Sequence, residues 1–480
     1  MDSASLQFLA LAFAAVLIFN LSRAVAWRQS VLLAASIGFL GFLSRRPAAF
    51  VPLAAFLLFG FLSLRLMQAG ATRFFVPVLI VGIVSFVWLK KYAFVPSLLF
   101  LRAPYVTLGL SYIFFRVLHL IIDARARHTT LPRNISLVSY LNYTLNFTTL
   151  VSGPIQRYNQ FASMQLAPAP LPLNILVAGE AFERIIVGIF KVNVLSLFLL
   201  MMHTSALNSL ATVQAVTGRV FATITILAVY PFYIYCNFSG YIDIVIGIAR
   251  FLRIELPENF NRPFSSQNYI IFWSRWHITL SSWLQLYVYL PLMLKSIRRW
   301  PSPAIEPFLN VCALFVTFLL VGLWHGQTSE FVLFGVLLGL GVSLTKLYQV
   351  LMTKSIGRER YMALRTSWLY GAAARGLTFT WCALTMLWFW SNWAQLGFLA
   401  RSLGPKEIAL VWIAVFVGSA ITLALWEAAR EWLLSFQFEN QPVLSSRYVR
   451  TAWSTVLVVI SVASPMLLKA PPPDIVYKTF

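Results

Sequence analysis

His325 lies between Trp324 and Gly326, after a strongly apolar run from Val311 to Val321 and ahead of Gln327, Thr328 and Ser329. An ionisable side chain at the edge of an intramembrane span is costly, and desolvation favours its neutral form. A neutral imidazole can accept a proton, as a general base must. Gly322 and Gly326 strip bulk from either side, so a substrate or another helix could approach closely. The alternative is a core histidine hydrogen-bonded between helices.

A second histidine, His277, closes the run Phe272-Trp273-Ser274-Arg275-Trp276-His277. Arg275 can neutralise a phosphate or carboxylate through its fork of donors, or snorkel to the headgroups, and interfacial anchoring by Trp and Arg is the plain alternative for the whole run. Asp243, just inside an apolar stretch, either orients a histidine or pairs with Arg250, and buried carboxylates usually need a cationic partner. His119, His128 and His203 receive no role, and Asp123 with Arg125 reads as an ordinary helix end. Cys236, Cys312 and Cys382 are scattered through apolar stretches without the close pairing of a zinc or redox site. No serine elbow, His-Glu-x-x-His or phosphate loop is present, so metal and nucleotide chemistry lack support.

The elements that must position these residues belong in lipid. Of 480 residues 59% are hydrophobic and 11% charged, with a mean hydropathy of +0.77, whereas soluble domains carry about a quarter charged residues. Spans are expected near 5–24, 30–44, 48–67, 75–96, 105–122, 174–202, 209–235, 240–252, 304–324, 329–350, 372–392, 407–427 and 452–469. With re-entrant elements this makes an all-α polytopic protein of about eleven to thirteen helices. The first span, lacking a small-residue cleavage site, is read as a retained helix. Lys and Arg (37) exceed Asp and Glu (15) by 22. They gather in short connections such as Arg45-Arg46, Lys90-Lys91, Arg125 to Arg133 and Lys295 to Arg299, where they hold loops on the cytoplasmic side and meet anionic headgroups. Nucleic acid is not expected as a partner. Pro471 to Pro473 reads as a terminal extension.

Two regions are too polar to face lipid. Ser136 to Phe161 carries Tyr140, Asn142, Tyr143, Asn146, Thr148, Thr149 and Gln156-Arg157-Tyr158. Such a segment is tolerated at membrane depth only under cover of protein or around a water-filled cavity, so a re-entrant element is expected. Glu255 to Pro291 carries Pro257, Pro263, six bulky aromatics from Phe272 to Tyr289, and both Arg275 and His277. If this segment is helical, Ser274, His277, Ser281 and Gln285 share one face. Both regions are expected to line the cavity that His325 enters.

In order, Asn237-Phe238-Ser239-Gly240-Tyr241 with Asp243, Leu256-Pro257-Glu258-Asn259-Phe260-Asn261-Arg262-Pro263, Phe272 to His277 with Leu280-Ser281, and Gly322-Leu323-Trp324-His325-Gly326 resemble the membrane-bound O-acyltransferases. The likeness is to the branch of alginate O-acetyltransferases and D-alanyl-lipoteichoic-acid transferases, and Ser152-Gly153-Pro154-Ile155-Gln156-Arg157-Tyr158 resembles that branch's Ala-Gly-Pro-Ile-x-Arg-Tyr element. The motifs occupy residues 140 to 350 of one membrane domain spanning 1–480. The resemblance implies a ring of tilted helices around a funnel, with His325 catalytic and His277 a second active-site residue. Arg275, Ser281, Trp324, Asn237 and Asp243 are expected at the substrate. Asn237 stands where the branch usually has Asp, Gln285-Leu286 where Arg-Asp is common, and Leu292-Met293 where Leu-Gly-Gly is frequent.

The implied reaction carries an acetyl or D-alanyl group from a thioester, on an acyl-carrier protein or coenzyme A, to a hydroxyl of a cell-surface polysaccharide or teichoic acid. No bound cofactor is expected. Membrane lipid and a periplasmic or extracellular acyltransferase are the expected partners, and a bacterial inner membrane the expected location. Two other readings share the helical bundle: a transporter or flippase for an anionic lipid or sugar, and a silent scaffold of the same fold. Many transporters show paired broken segments in their two halves, which this sequence lacks.

Overall fold

The computed structural model describes residues 6–126, 131–132, 134–438, 441–443, 446–468, 471 and 473–474. His128, Arg133 and Pro472 lie outside them. Eight described helices are long and apolar enough to cross a membrane: Val25–Leu43, Pro47–Gln68, Thr72–Leu89, Ile175–Thr212, Val216–Phe251, Glu306–His325, Ser329–Ile356 and Pro405–Ser435. The other expected crossings fall on helices that are shorter or carry charge. Leu6–Phe19 has 14 residues, Leu110–Arg125 has 16 and contains Arg116 and Asp123, Trp368–Trp390 contains Arg375, and Arg447–Leu468 opens with two arginines. Leu62, Ile80, Ile413, Ile421 and Leu425 point outward and exposed, as side chains solvated by lipid tails do. The only described strands are Gln437–Phe438 and Gln441–Pro442, an antiparallel pair of two residues each.

The spans expected near 209–235 and 240–252 are one helix, Val216–Phe251, of 36 residues. At 1.5 Å per residue it is about 54 Å long. Residues 236–239, left between the two expected spans, continue the helix: at Gly240 a Cβ would come to 2.8 Å from the Gly188 carbonyl, so its missing side chain serves helix packing. Pro231 also lies inside it. From Tyr230 onward this helix is buried almost throughout, packed against Ile175–Phe190, Leu197–Thr212 and Pro405–Ser435. It is the post around which the motif-bearing segments gather.

Glu306–His325 and Ser329–Ile356 form a tight antiparallel hairpin. A Cβ on Gly322 would lie 2.2 Å from the Gly335 Cα, and Ser343 Oγ donates to the Val311 carbonyl at 3.0 Å. Close approach at Gly322 therefore admits the neighbouring helix, and at Gly326 the Phe331 ring.

Both polar regions are broken backbone covered by protein. In the first, Leu137–Thr144 and Tyr158–Gln165 are short helices, and Tyr140, Asn142, Asn146, Thr148, Thr149, Ser152 and Gln156 are all buried. In the second, Tyr269–Trp273 and Ile278–Leu284 are separate helices followed by a wide turn at Gln285–Tyr289.

Candidate active site

His325 is the last residue of its helix and 2% exposed. Its Nδ1 is 2.7 Å from the Val321 carbonyl, one turn back. A carbonyl only accepts, so Nδ1 carries the proton and Nε2 is the acceptor nitrogen of the ring. Aromatic walls hold the imidazole, with ring centres at 4.7 Å for Trp324, 5.6 Å for Phe334 and 5.6 Å for Phe389. The loop after Thr72–Leu89 braces the helix end: Tyr92 donates to the Leu323 carbonyl at 2.9 Å, and the Ala93 amide donates to that of Gln327 at 3.1 Å. Burial pushes the Tyr92 phenol up to about 12, so it stays a donor.

His277 is fully buried and sits between its two short helices with φ +46° and ψ +51°. This left-handed turn corrects the expectation of one helical face carrying Ser274, His277, Ser281 and Gln285: Ser274 and Gln285 are exposed while His277 turns inward. A non-glycine residue held there costs about 1–3 kcal/mol, and surrounding bonds impose it. The Asn261 amide donates to the Arg275 carbonyl at 2.9 Å and the Ile278 amide to the Asn259 carbonyl at 3.0 Å. Asn259 Oδ1 lies 3.3 Å from His277 Nδ1 and accepts from the Thr279 amide at 3.1 Å and hydroxyl at 2.8 Å. On the far side of the ring, Tyr112 OH is 3.4 Å from Nε2. Trp324 stands beside both histidines, its ring centre 6.5 Å from that of His277.

The Ser136 to Phe161 segment is locked to the same place. The Ile155 amide donates to Thr279 Oγ1 at 3.0 Å. Arg116 is fully buried and donates to the carbonyls of Tyr143, Thr144 and Thr149 at 3.2, 2.9 and 2.8 Å. One guanidinium thus satisfies backbone that no helix closes. His119 accepts from the Tyr158 amide at 3.4 Å and lies 3.2 Å from Tyr143 OH, while Tyr287 donates to both oxygens of Asp123. Tyr112, Arg116, His119 and Asp123 form one column of the Leu110–Arg125 helix. Sequence reasoning missed it, giving His119 no role and Asp123 a helix end. The signal was there in the spacings of four, three and four within an apolar run.

The profile of the membrane-bound O-acyltransferase family matches residues 56–388, an interval that contains both histidines and their hydrogen-bond partners. The chain belongs to that family. Among its relatives, the teichoic acid D-alanyltransferase of Bacillus subtilis (strain 168) is 28% identical over 232 residues, covering 48% of this chain and 56% of that protein. A probable alginate O-acetylase AlgI of Azotobacter vinelandii is 27% identical over 317 residues, 65% of this chain and 59% of its own length. The peptidoglycan O-acetyltransferase of Helicobacter pylori (strain ATCC 700392 / 26695) is 40% identical over 119 residues, or 25% and 21%. The chain thus spans a little over half the length of the first two.

Of the family residues expected at the substrate, Trp324 and Ser281 lie close to the histidines in space or sequence. Trp324 Nε1, Ser281 Oγ and Asn259 Nδ2 are buried without a hydrogen-bond partner among the described residues, and such groups call for a ligand or water. Arg275 donates to Ser265 Oγ at 2.5 Å. Asn237 is buried and donates to the Asp474 carbonyl at 3.2 Å. Asp243 pairs with Arg184 at 3.1 Å and Lys191 at 2.7 Å. The expected partner Arg250 instead pairs with Glu255. Arg184 comes from the crossing helix and its fork also holds Glu258, a long-range contact that nearness in sequence could not reveal.

Proposed function

We propose that the protein is an O-acyltransferase that moves a short acyl group, acetyl or D-alanyl, from a thioester to a hydroxyl of a cell-surface glycan or teichoic-acid-like polymer. The observation that carries this reading is the bond from His325 Nδ1–H to Val321, which makes Nε2 the ring's proton acceptor in a buried site shared with His277. Its support is also by kinship, since the relatives are named as transferases acting on teichoic acid, alginate and peptidoglycan.

Nε2 of His325 takes the acceptor's proton as the hydroxyl oxygen attacks the thioester carbonyl. The tetrahedral oxyanion meets donors already in place, with Trp324 Nε1 and Ser281 Oγ the available ones, and each such donor contributes about 3 kcal/mol to the barrier. Collapse breaks the C–S bond, and the imidazolium returns its proton to the departing thiolate. Ester and free thiol are the products. His277, held by Asn259 and Tyr112, orients the acceptor. The donor is a carrier-protein or coenzyme A thioester, a secreted acyltransferase is the downstream partner, and the membrane is a bacterial inner membrane.

Purified protein incubated with a radiolabelled acetyl or D-alanyl thioester and a panel of hydroxylated polymers tests the assignment. Label on polymer with wild type and none with His325→Gln is the expected result. Transport of intact substrate across vesicles without any ester formed would overturn it.

A further inference from the structure

A cleft lies away from the histidines, between Ser329–Ile356, Arg358–Thr366 and Trp368–Trp390. Its volume is about 560 Å³. One end is apolar, lined by Leu344, Leu377, Trp381 and Phe416; Leu344 and Leu377 are exposed, so the cleft opens sideways to the surrounding lipid. The other end is polar. Tyr348, Tyr361 and Tyr370 line it, with the Tyr370 hydroxyl donating to that of Tyr348 at 3.4 Å and the Tyr348 and Tyr361 ring centres 6.2 Å apart.

This hydroxyl end sits under a cationic helix. Lys354, Arg358, Arg360 and Arg365 surround Tyr361 with Glu359 as the sole acid among them, and among the described residues none of the four basic groups forms an ion pair. Arg358 and Arg365, three before and four after Tyr361, share its face of the helix, and the Arg365 guanidinium lies 6.0 Å from the Tyr361 ring. The antiparallel hairpin returns this helix to the side of Lys295, Arg298 and Arg299. Lys90-Lys91 lie at the hairpin's other end, where the Ala93 amide meets the Gln327 carbonyl, so the two clusters expected on one side are on opposite sides. The end with Lys295 to Arg299 and Lys354 to Arg365 is the more basic, and by the positive-inside rule it is the cytoplasmic side, the leaflet rich in anionic lipid.

We propose that this cleft binds one anionic phospholipid of the cytoplasmic leaflet, an acyl chain lying between the Ser329–Ile356 and Trp368–Trp390 helices and the phosphate at the tyrosine hydroxyls beneath Arg358 and Arg365. A lipid tail gains nothing hydrophobic by leaving other lipid tails, so selectivity resides in the headgroup contacts. The occupant also bears on the site proposed to be catalytic. Tyr269 forms a wall of the cleft and begins a stack of rings, Tyr269 on Phe272 at 5.5 Å and Phe272 on Trp276 at 5.5 Å, that ends one residue before His277.

Native mass spectrometry of the full chain in detergent, with equimolar dioleoylphosphatidylglycerol and dioleoylphosphatidylcholine, reads the binding directly and needs no catalysis. Wild type is expected to retain one phosphatidylglycerol with at least a tenfold preference. Arg358→Gln with Arg365→Gln should reduce that preference below threefold. Ala373→Phe, which fills the cleft from an exposed lining position, should lower retention of both lipids. Phosphatidylglycerol should raise the unfolding temperature of wild type and not of Ala373→Phe, with both melting alike in phosphatidylcholine. An absent headgroup preference in wild type, or an equal loss of preference on neutralising the remote pair Arg45 and Arg46, would overturn the proposal.

Discussion

His325→Ala should abolish acyl transfer while the protein accumulates in the membrane at near-normal yield. Alanine removes the proton acceptor yet is small, apolar and a good helix former, and losing a general base lowers a rate by about 100- to 10,000-fold. His325→Gln keeps some hydrogen bonding without basicity and should be nearly as inactive. A folded His325→Ala protein working at the wild-type rate would end the assignment. The place of His325 at the buried end of an apolar span was legible in sequence, because an ionisable group beside such a span stands out. Asn259 was not: it stood inside a quoted motif, but its work is a contact eighteen residues away with His277, invisible without the fold. Its amide oxygen serves His277 and Thr279 together. Asn259→Ala and Thr279→Val should each lower kcat about 10- to 100-fold, with KM for the thioester little changed. Because they disturb one network, the double variant should lose far less than the product of the two effects. Multiplicative losses in steady-state assays would mean that the two residues act separately.

At the scale of elements, periodicity located most helices and failed where backbone departs from it. The long Val216–Phe251 helix was divided at 236–239, whereas the structure runs it through and uses Gly240 to seat a crossing helix. His277 was assigned to a continuous face because spacing assumes continuous helix, and the left-handed turn that aims it inward has no spacing signature. The 322–335 contact gives the sharpest test of this level. A valine at Gly322 would place its Cβ against the Gly335 backbone, where no flexible side chain can yield. Gly322→Val should therefore force the two helices apart, costing about 1–3 kcal/mol as overpacking does, and should displace Trp324 and His325 with them. The expected readout is a lower unfolding temperature together with lost transfer. Gly418→Val, at a helical glycine where a Cβ meets nothing within 4 Å, is the control and should leave both intact; an unchanged Gly322→Val protein would refute close packing as the reason for that glycine.

For the whole molecule, 59% hydrophobic composition dictated lipid as the solvent, and lipid in turn dictates how the polar interior is built. Backbone freed by the broken segments is met by buried side chains, Arg116 and Thr279 among them. The titratable groups follow the same economy. His119, His203, His277 and His325 each sit among aromatic rings, Asp243 is occupied by Arg184 and Lys191, and no three His, Cys, Asp or Glu side chains converge among the described residues. A catalytic metal site takes about three such ligands held together. Acyl transfer by the purified protein should accordingly persist within twofold after exhaustive dialysis against EDTA. The assay must use a donor whose own handling needs no metal, so a preformed acyl thioester is added rather than generated in place. Loss of transfer with EDTA, restored by one divalent ion and not by others, would place a metal in the mechanism and remove His325 from its role as the sole activator of the hydroxyl.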